Sequence, residues 1–321
     1  MIRNTSFALF ALVVGGAVYF KLGPVVLSGL FSYMILDLTH RRLARSMSVF
    51  YARWLALAIY IVAASGLFWL FAHFVRQTLS TLPQIAAVAV PRLIVLCETY
   101  GFDLPFDNVY ELREIIVHSI KSNVPTLTRV SGLLTKEFFH VVVGIFVAIL
   151  CFMNREKTEL GPNLYDALSQ QFAIRIKTFL LGFERVFSAQ VIISCVNTAV
   201  TATFIMLMGL PNAAFLTLAT FIFGLLPVIC GVMSNTIIVS TALTVSPGSA
   251  AFALTFLVVS HKVEYFLFSR IMGSSINAPM WQTLLGVMVG EVVMGVPGVL
   301  LAPAFIYYIK EELREIPAEL S

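Results

Sequence analysis

Apolar runs of near-membrane length alternate along this chain with short clusters of basic residues, prolines and glycines. Residues 6–20 and 25–36 form the first two runs. Lys21, Gly23 and Pro24 join them, and no small-x-small cleavage site follows the first run. The pair therefore predicts a retained, tight helical hairpin rather than a leader. Further runs cover 54–75, 138–153, 191–208 and 249–268. Each approaches the roughly 20 apolar residues that a helix needs to cross about 30 Å of hydrocarbon. Two more, 209–245 and 280–309, are too long for one plain span. Gly224, Pro227 and Gly231 interrupt the first, and Gly295, Pro297 and Gly298 the second. Counting each overlong run as one net crossing predicts an all-α, polytopic membrane protein with about eight crossings and two Gly/Pro-broken segments.

Between 76 and 136 the pattern changes. Charges of both signs appear, and Pro83, Pro91, Pro105 and Pro125 read as helix breaks. Asn108, three residues before Glu111, fits a helix-starting capping box. Val109, Leu112, Ile116 and Ile120 then recur at helical spacing. This predicts a small extracytoplasmic helical insert, for which a packed solvent-side cap is the plain reading and a gating or partner-binding role the sharper one. Residues 164–187 read instead as an amphipathic helix at the cytoplasmic membrane interface. There Arg175, Lys177 and Arg185, set among Phe172, Ile176, Phe179 and Leu180, are expected to meet lipid phosphates.

Composition sharpens this picture. Of 321 residues 59% are hydrophobic and 12% charged, about half the charged share of a soluble domain. Helices so poor in charge cannot all have polar outer faces, so much of the surface must meet lipid. A net charge of +4, scattered along the chain, gives no footprint for nucleic acid. Its placement matters more than its sum. Arg41, Arg42 and Arg45, with Arg53 soon after, form the densest basic cluster, which the positive-inside rule places in the cytoplasm together with the N-terminus. Eight crossings would leave Lys310 and Arg314 inside as well. The four cysteines, Cys97, Cys151, Cys195 and Cys230, lie far apart without metal-binding spacing and read as free thiols. No metal or other cofactor is expected.

The interruptions are the first candidate for chemistry. Proline removes a helix hydrogen bond and flanking glycines permit a turn. At membrane depth such a break is tolerated where protein buries it or where it lines a hydrated cavity. In many transporters broken helices meet substrate or ion there. GLLPVICG and GVPG are therefore expected to frame a substrate region, against the plainer reading of packing kinks. Glu291 is the second candidate, the only charge between Arg270 and Lys310. About ten residues into its run, it lies about 15 Å deep, where an unpaired carboxylate costs at least about 2.5 kcal/mol. It reads as a proton- or cation-coupling group, or as half of an ion pair with Arg270. His261 and Glu264 share a helix face and make either a polar relay or an interfacial pair. Asn197, Thr201, Ser234 and Asn235 can add hydrogen bonds within the bundle, where interhelical glue is the ordinary role. HExxH, GxSxG, P-loop and paired-carboxylate patterns are missing from the sequence, so an enzyme is not expected.

Almost the whole chain resembles the autoinducer-2 exporter family, the PerM-like permeases. GLP at 209–211 and GLLPVICG are similar to its G-x-P and l-I-P-x-x-G elements. HKVEYFLFSRIMG resembles its Q-x-x-E…P-x-x-x-G element, and GEVVMGVPGVLLAP its glycine-rich ending. By that resemblance Gln190, within FSAQ, and Pro227, Gly231, Glu264, Gly273, Gly290, Gly295, Gly298 and Pro303 occupy motif positions. The proline after the glutamate element is replaced by the neighbourhood of Ser269 and Arg270, and His261 stands where a polar amide is common. The family implies export of the signal autoinducer-2 or exchange of sodium or lithium for protons. It also implies a bacterial inner membrane and a homo-oligomer, with pentamers the expected assembly.

Four segments follow: an N-terminal hairpin and third span (1–75), the insert (76–136), a fourth span with the amphipathic helix (137–187), and a C-terminal transport core (188–321). The expected function is secondary transport of a small polar metabolite, driven by a proton or sodium gradient. A monovalent cation/proton antiporter is the alternative within transport. A non-transporting scaffold that binds a partner through 76–136 is the alternative outside it.

Overall fold

The computed structural model describes residues 2–101, 111, 124–154, 163–225, 230–276 and 279–314. Ten helices and no strand occur among the described residues. They are α1 (Ile2–Tyr19), α2 (Gly23–Leu43), α3 (Val49–Thr99), α4 (Val124–Met153), α5 (Leu164–Leu207), α6 (Ala213–Gly224), α7 (Cys230–Val245), α8 (Pro247–Ile276), α9 (Met280–Met294) and α10 (Val296–Arg314). Among the described residues α3, the Lys136–Met153 part of α4, and α5 are each long and apolar enough to cross a membrane. The bent pair of α1 and α2 makes a fourth if counted as one span. The chain divides into two compact units. The first holds residues 1–65, 134–189 and 271–321, and the second 66–133 and 190–270.

In the first unit α1 and α2 meet at a bend of 120°, and Lys21 takes the left-handed conformation in the turn (φ 55°). The glycine interruption of the last apolar run closes a second turn. Gly295, at φ 65° and ψ −143°, ends α9 and starts α10, in a region that residues with a β-carbon avoid. Contacts along the pair are those of an antiparallel hairpin. A β-carbon at Gly290 would fall on the Gly298 carbonyl oxygen and 3.2 Å from Ala302 Cβ, and one at Gly286 would meet Ile306 and lie 3.8 Å from Ala302 Cβ. The two hairpins run side by side. At the tips, a β-carbon on Gly23 would lie 2.9 Å from Pro297 Cβ. At the open ends, the Phe10 and Tyr308 rings are 4.9 Å apart. Packing of α2, α5 and α10 buries Met34, Phe179, Phe183, Leu301, Ala304 and Tyr308. A second cluster of Leu36, Ala56, Tyr60 and Phe152 joins α2, α3 and α4. Tyr60 donates to Ser32 Oγ there (2.7 Å), so its hydroxyl is not orphaned by burial.

Arg175 corrects one expectation. It does not meet lipid phosphates but is 3% exposed inside the first unit. Its Nε donates to Ser6 Oγ (2.9 Å) and its Nη1 to Glu312 Oε1 (2.8 Å), while its guanidinium lies 3.3 Å from the centre of the Phe7 ring. A carboxylate, a hydroxyl and an aromatic face on two neighbouring helices together replace water around the cation, which lipid phosphates would do only partially. Lys177 and Arg185 remain exposed. The amphipathic stretch and the following apolar run form one continuous α5 of 44 residues, about 66 Å long at 1.5 Å per residue.

The second unit shows a second correction. Pro83 and Pro91 lie inside α3 and do not break it. A proline in a helix interior costs about 3 kcal/mol, and packing on both sides offsets that cost. Ile85 and Ala89 are buried against Leu243, and Arg92 Nη1 donates to the carbonyls of Leu243 (2.9 Å) and Thr244 (2.5 Å) at the end of α7. Those carbonyls are among the last of α7 and have no intrahelical donor, so a cation at this end satisfies them and complements the helix dipole. Arg92→Leu is expected to destabilise by about 1.5–3 kcal/mol. Hydrogen exchange of the amides in 243–250 checks this, rising if Arg92 is the cap and staying constant if water already serves. The expected helix over 108–120 and the insert's Pro105 lie outside the described residues.

Both overlong runs are broken into two helices, as expected, and in each the second helix folds back along the first. Thr220 and Ser234 Oγ are 3.0 Å apart between α6 and α7, and Leu216 packs in one cluster with Ile238 and Ala242. These pairings fold α7 back along α6. With 12 and 16 residues the two helices are about 18 and 24 Å long, short of about 30 Å of hydrocarbon.

Candidate functional site

Four polar residues sit in the apolar half of α5 at Gln190, Ser194, Asn197 and Thr201. Their spacing of i, i+4, i+7 and i+11 places them on one helix face. Gln190, Ser194 and Thr201 are buried, and the first two reach the end of α6. Gln190 Nε2 donates to the Gly224 carbonyl (2.8 Å) and Ser194 Oγ to the Phe221 carbonyl (3.0 Å). These carbonyls belong to the last turn of α6, at the negative end of the helix dipole, and that of Phe221 also accepts from the backbone N–H of Leu225 (3.2 Å). Gly224 is required by this closeness, because a β-carbon there would stand 2.6 Å from Ser194 Oγ. Across the hairpin, buried Thr220 and Ser234 share a hydrogen bond. Asn235, next along α7, is half-buried. The arrangement is a broken backbone at apolar depth, with its carbonyls held by a glutamine and a serine from a membrane-length helix.

Of the residues singled out from the sequence, Gln190 and Gly224 are thus in direct contact. Pro227 lies outside the described residues, as do the side chains of Glu264 and Arg270, and Gly231 is in the first turn of α7. His261 is half-buried on α8. Gly295, Pro297 and Gly298 form the tip of the α9–α10 hairpin in the first unit. Glu291 stands one turn before that tip, exposed, and makes no ion pair among the described residues. Because Gly23 packs on Pro297, Lys21 of the neighbouring tip and Glu291 belong to the same end of that unit. Ser194 was not anticipated. The i, i+4, i+7 recurrence of polar residues in an apolar run was the signal that pointed to it. No cluster of His, Cys, Asp and Glu able to hold a metal occurs among the described residues.

An all-helical chain with helices of membrane length, short apolar helices folded back on one another and an interrupted backbone held by polar side chains has the construction of a membrane transporter. A family model for AI-2E family transporters matches residues 7–318, and the chain belongs to that family of membrane transporters. A search of curated proteins finds no match.

Proposed function

We propose that this transporter exports a small polar metabolite of the autoinducer-2 type and draws on a proton or sodium gradient. One observation carries the reading: Gln190 and Ser194 hold the carbonyls of an interrupted helix within an apolar stretch. A helix end satisfied in this way can exchange a side-chain donor for a substrate hydroxyl without leaving the backbone bare. The resemblance supplies the substrate type. Glu291 and Glu264, with His261, remain the coupling groups of this reading, and an exposed carboxylate beside a re-entrant tip suits a group that takes and releases a cation. In this reading both termini are cytoplasmic. Arg41, Arg42 and Arg45 favour that side, and the start of α1 is tied to the end of α10 through Arg175.

Flux from proteoliposomes loaded with autoinducer-2 tests the proposal. Gln190→Leu is expected to slow efflux about tenfold, the equivalent of about 1.4 kcal/mol lost at one buried hydrogen bond. Its melting temperature should fall by only a few degrees, about 2–4 °C per kcal/mol lost, with unchanged elution. Equal rates in both proteins would defeat the reading. The antiporter alternative rests on Glu291. It predicts that added sodium drives proton flux in the absence of any metabolite, and that Glu291→Gln abolishes it.

A further inference from the structure

A groove of about 160 Å³ opens between α5 and α8 within the second unit. Buried Ile193 is among its lining residues, and Val196, Val200, Val259 and Val263 form an exposed rim. Phe256 closes one part of it, fixed by stacking on Phe204 at 3.9 Å between centroids. Two lining residues break the apolar character, Asn197 from α5 and Ser260 from α8. Both are half-buried and neither makes a hydrogen bond among the described residues. They fall inside the apolar runs 191–208 and 249–268. A carboxamide and a hydroxyl in such surroundings are costly unless a partner satisfies them.

We propose that this groove binds a small amphiphile that carries one hydroxyl or carbonyl on an aliphatic body and enters from the bilayer. Asn197 offers both a donor and an acceptor, and Ser260 can serve as either. One polar head therefore satisfies two orphaned groups, while the valine rim takes up the apolar body. The volume sets the size: an apolar cavity of about 150 Å³ accommodates a benzene ring, so a ligand of about six heavy atoms fits. A fully polar solute would leave the valine rim bare. A plain alkane would leave Asn197 and Ser260 unsatisfied. The site is separate from the Gln190–Gly224 contact, and its occupancy is read at equilibrium, without transport.

The test is photolabelling of the full-length protein in lipid nanodiscs with a diazirine-bearing butanol, mapped by mass spectrometry. Adducts are expected to concentrate in 193–200 and 256–263, and 1-hexanol but not hexane should compete with them. Asn197→Val combined with Ser260→Ala should cut labelling there about fivefold, the loss expected on removing about one net hydrogen bond. Elution and melting should match the parent. Val200→Trp, which fills the groove and keeps both polar groups, should lower labelling as well. Labelling spread evenly over α3 and α4, equal competition by hexane, or undiminished labelling of the double variant would each overturn the proposal. So would a disulfide formed between two copies through Val263→Cys, because a second copy would then occupy the groove.

Discussion

Gly298→Leu will prevent α9 and α10 from closing into their hairpin. A β-carbon at Gly298 falls on the Gly290 carbonyl oxygen and 3.0 Å from Met294 Cβ. The obstacle is backbone, so no rotamer change relieves it, and the helices must separate along the line that also joins Gly286 to Ile306. Overpacking of this kind costs about 1–3 kcal/mol or more, and here the loss extends to the contact of Pro297 with Gly23. Detergent-solubilised Gly298→Leu should melt well below the parent or elute as aggregate. Gly15→Ala is the control, because a β-carbon there has nothing within 4 Å and alanine favours a helix by up to about 1 kcal/mol. If both variants melt like the parent, the close crossing of α9 and α10 is wrong.

Arg175→Met will be the most damaging single change of charge. It leaves Glu312, whose side chain is 14% exposed, without its cation, and Ser6 without its donor. Removing one partner of a buried ion pair costs about 3–5 kcal/mol, whereas replacing both by apolar groups is often neutral. The double variant Arg175→Met with Glu312→Met is therefore expected to recover much of the loss. Arg175→Lys should not, because an ammonium cannot span Ser6 and Glu312 while lying flat on Phe7. Thermal melting of these three variants, of Glu312→Met alone and of the parent decides it. Additive losses in the double variant would show that Arg175 and Glu312 act independently.

These two sites show how far the chain could be read without coordinates. Gly295, Pro297 and Gly298 announced an interruption, and the interruption is there. Whether it bent one span or reversed the chain depended on Gly290 meeting Gly298, a contact between residues eight apart that periodicity does not encode. Arg175 had the spacing of a residue on an amphipathic helix, and its local pattern suited a lipid surface. Its burial depends on Ser6 and Glu312, 169 and 137 positions away. Pro83 and Pro91 were read by their intrinsic preference, which the anchoring of α3 on the end of α7 overrides. At the candidate site, Gln190 was legible by resemblance and Gly224 as an interruption of the apolar run, whereas Ser194 was missed although it lies on the same polar stripe. That Gln190 donates to Gly224 was not legible.

The sequence by itself determined that this chain is all-helical, lives in a membrane and is interrupted at two places, because hydrophobic runs and Gly/Pro punctuation act on local backbone and on partition into lipid. Only the tertiary structure decided that the interruptions are reversals, that Arg175 is interior, and that a glutamine side chain holds a broken helix end. Those outcomes rest on contacts between distant segments, whose energies exceed the local preferences that a sequence displays.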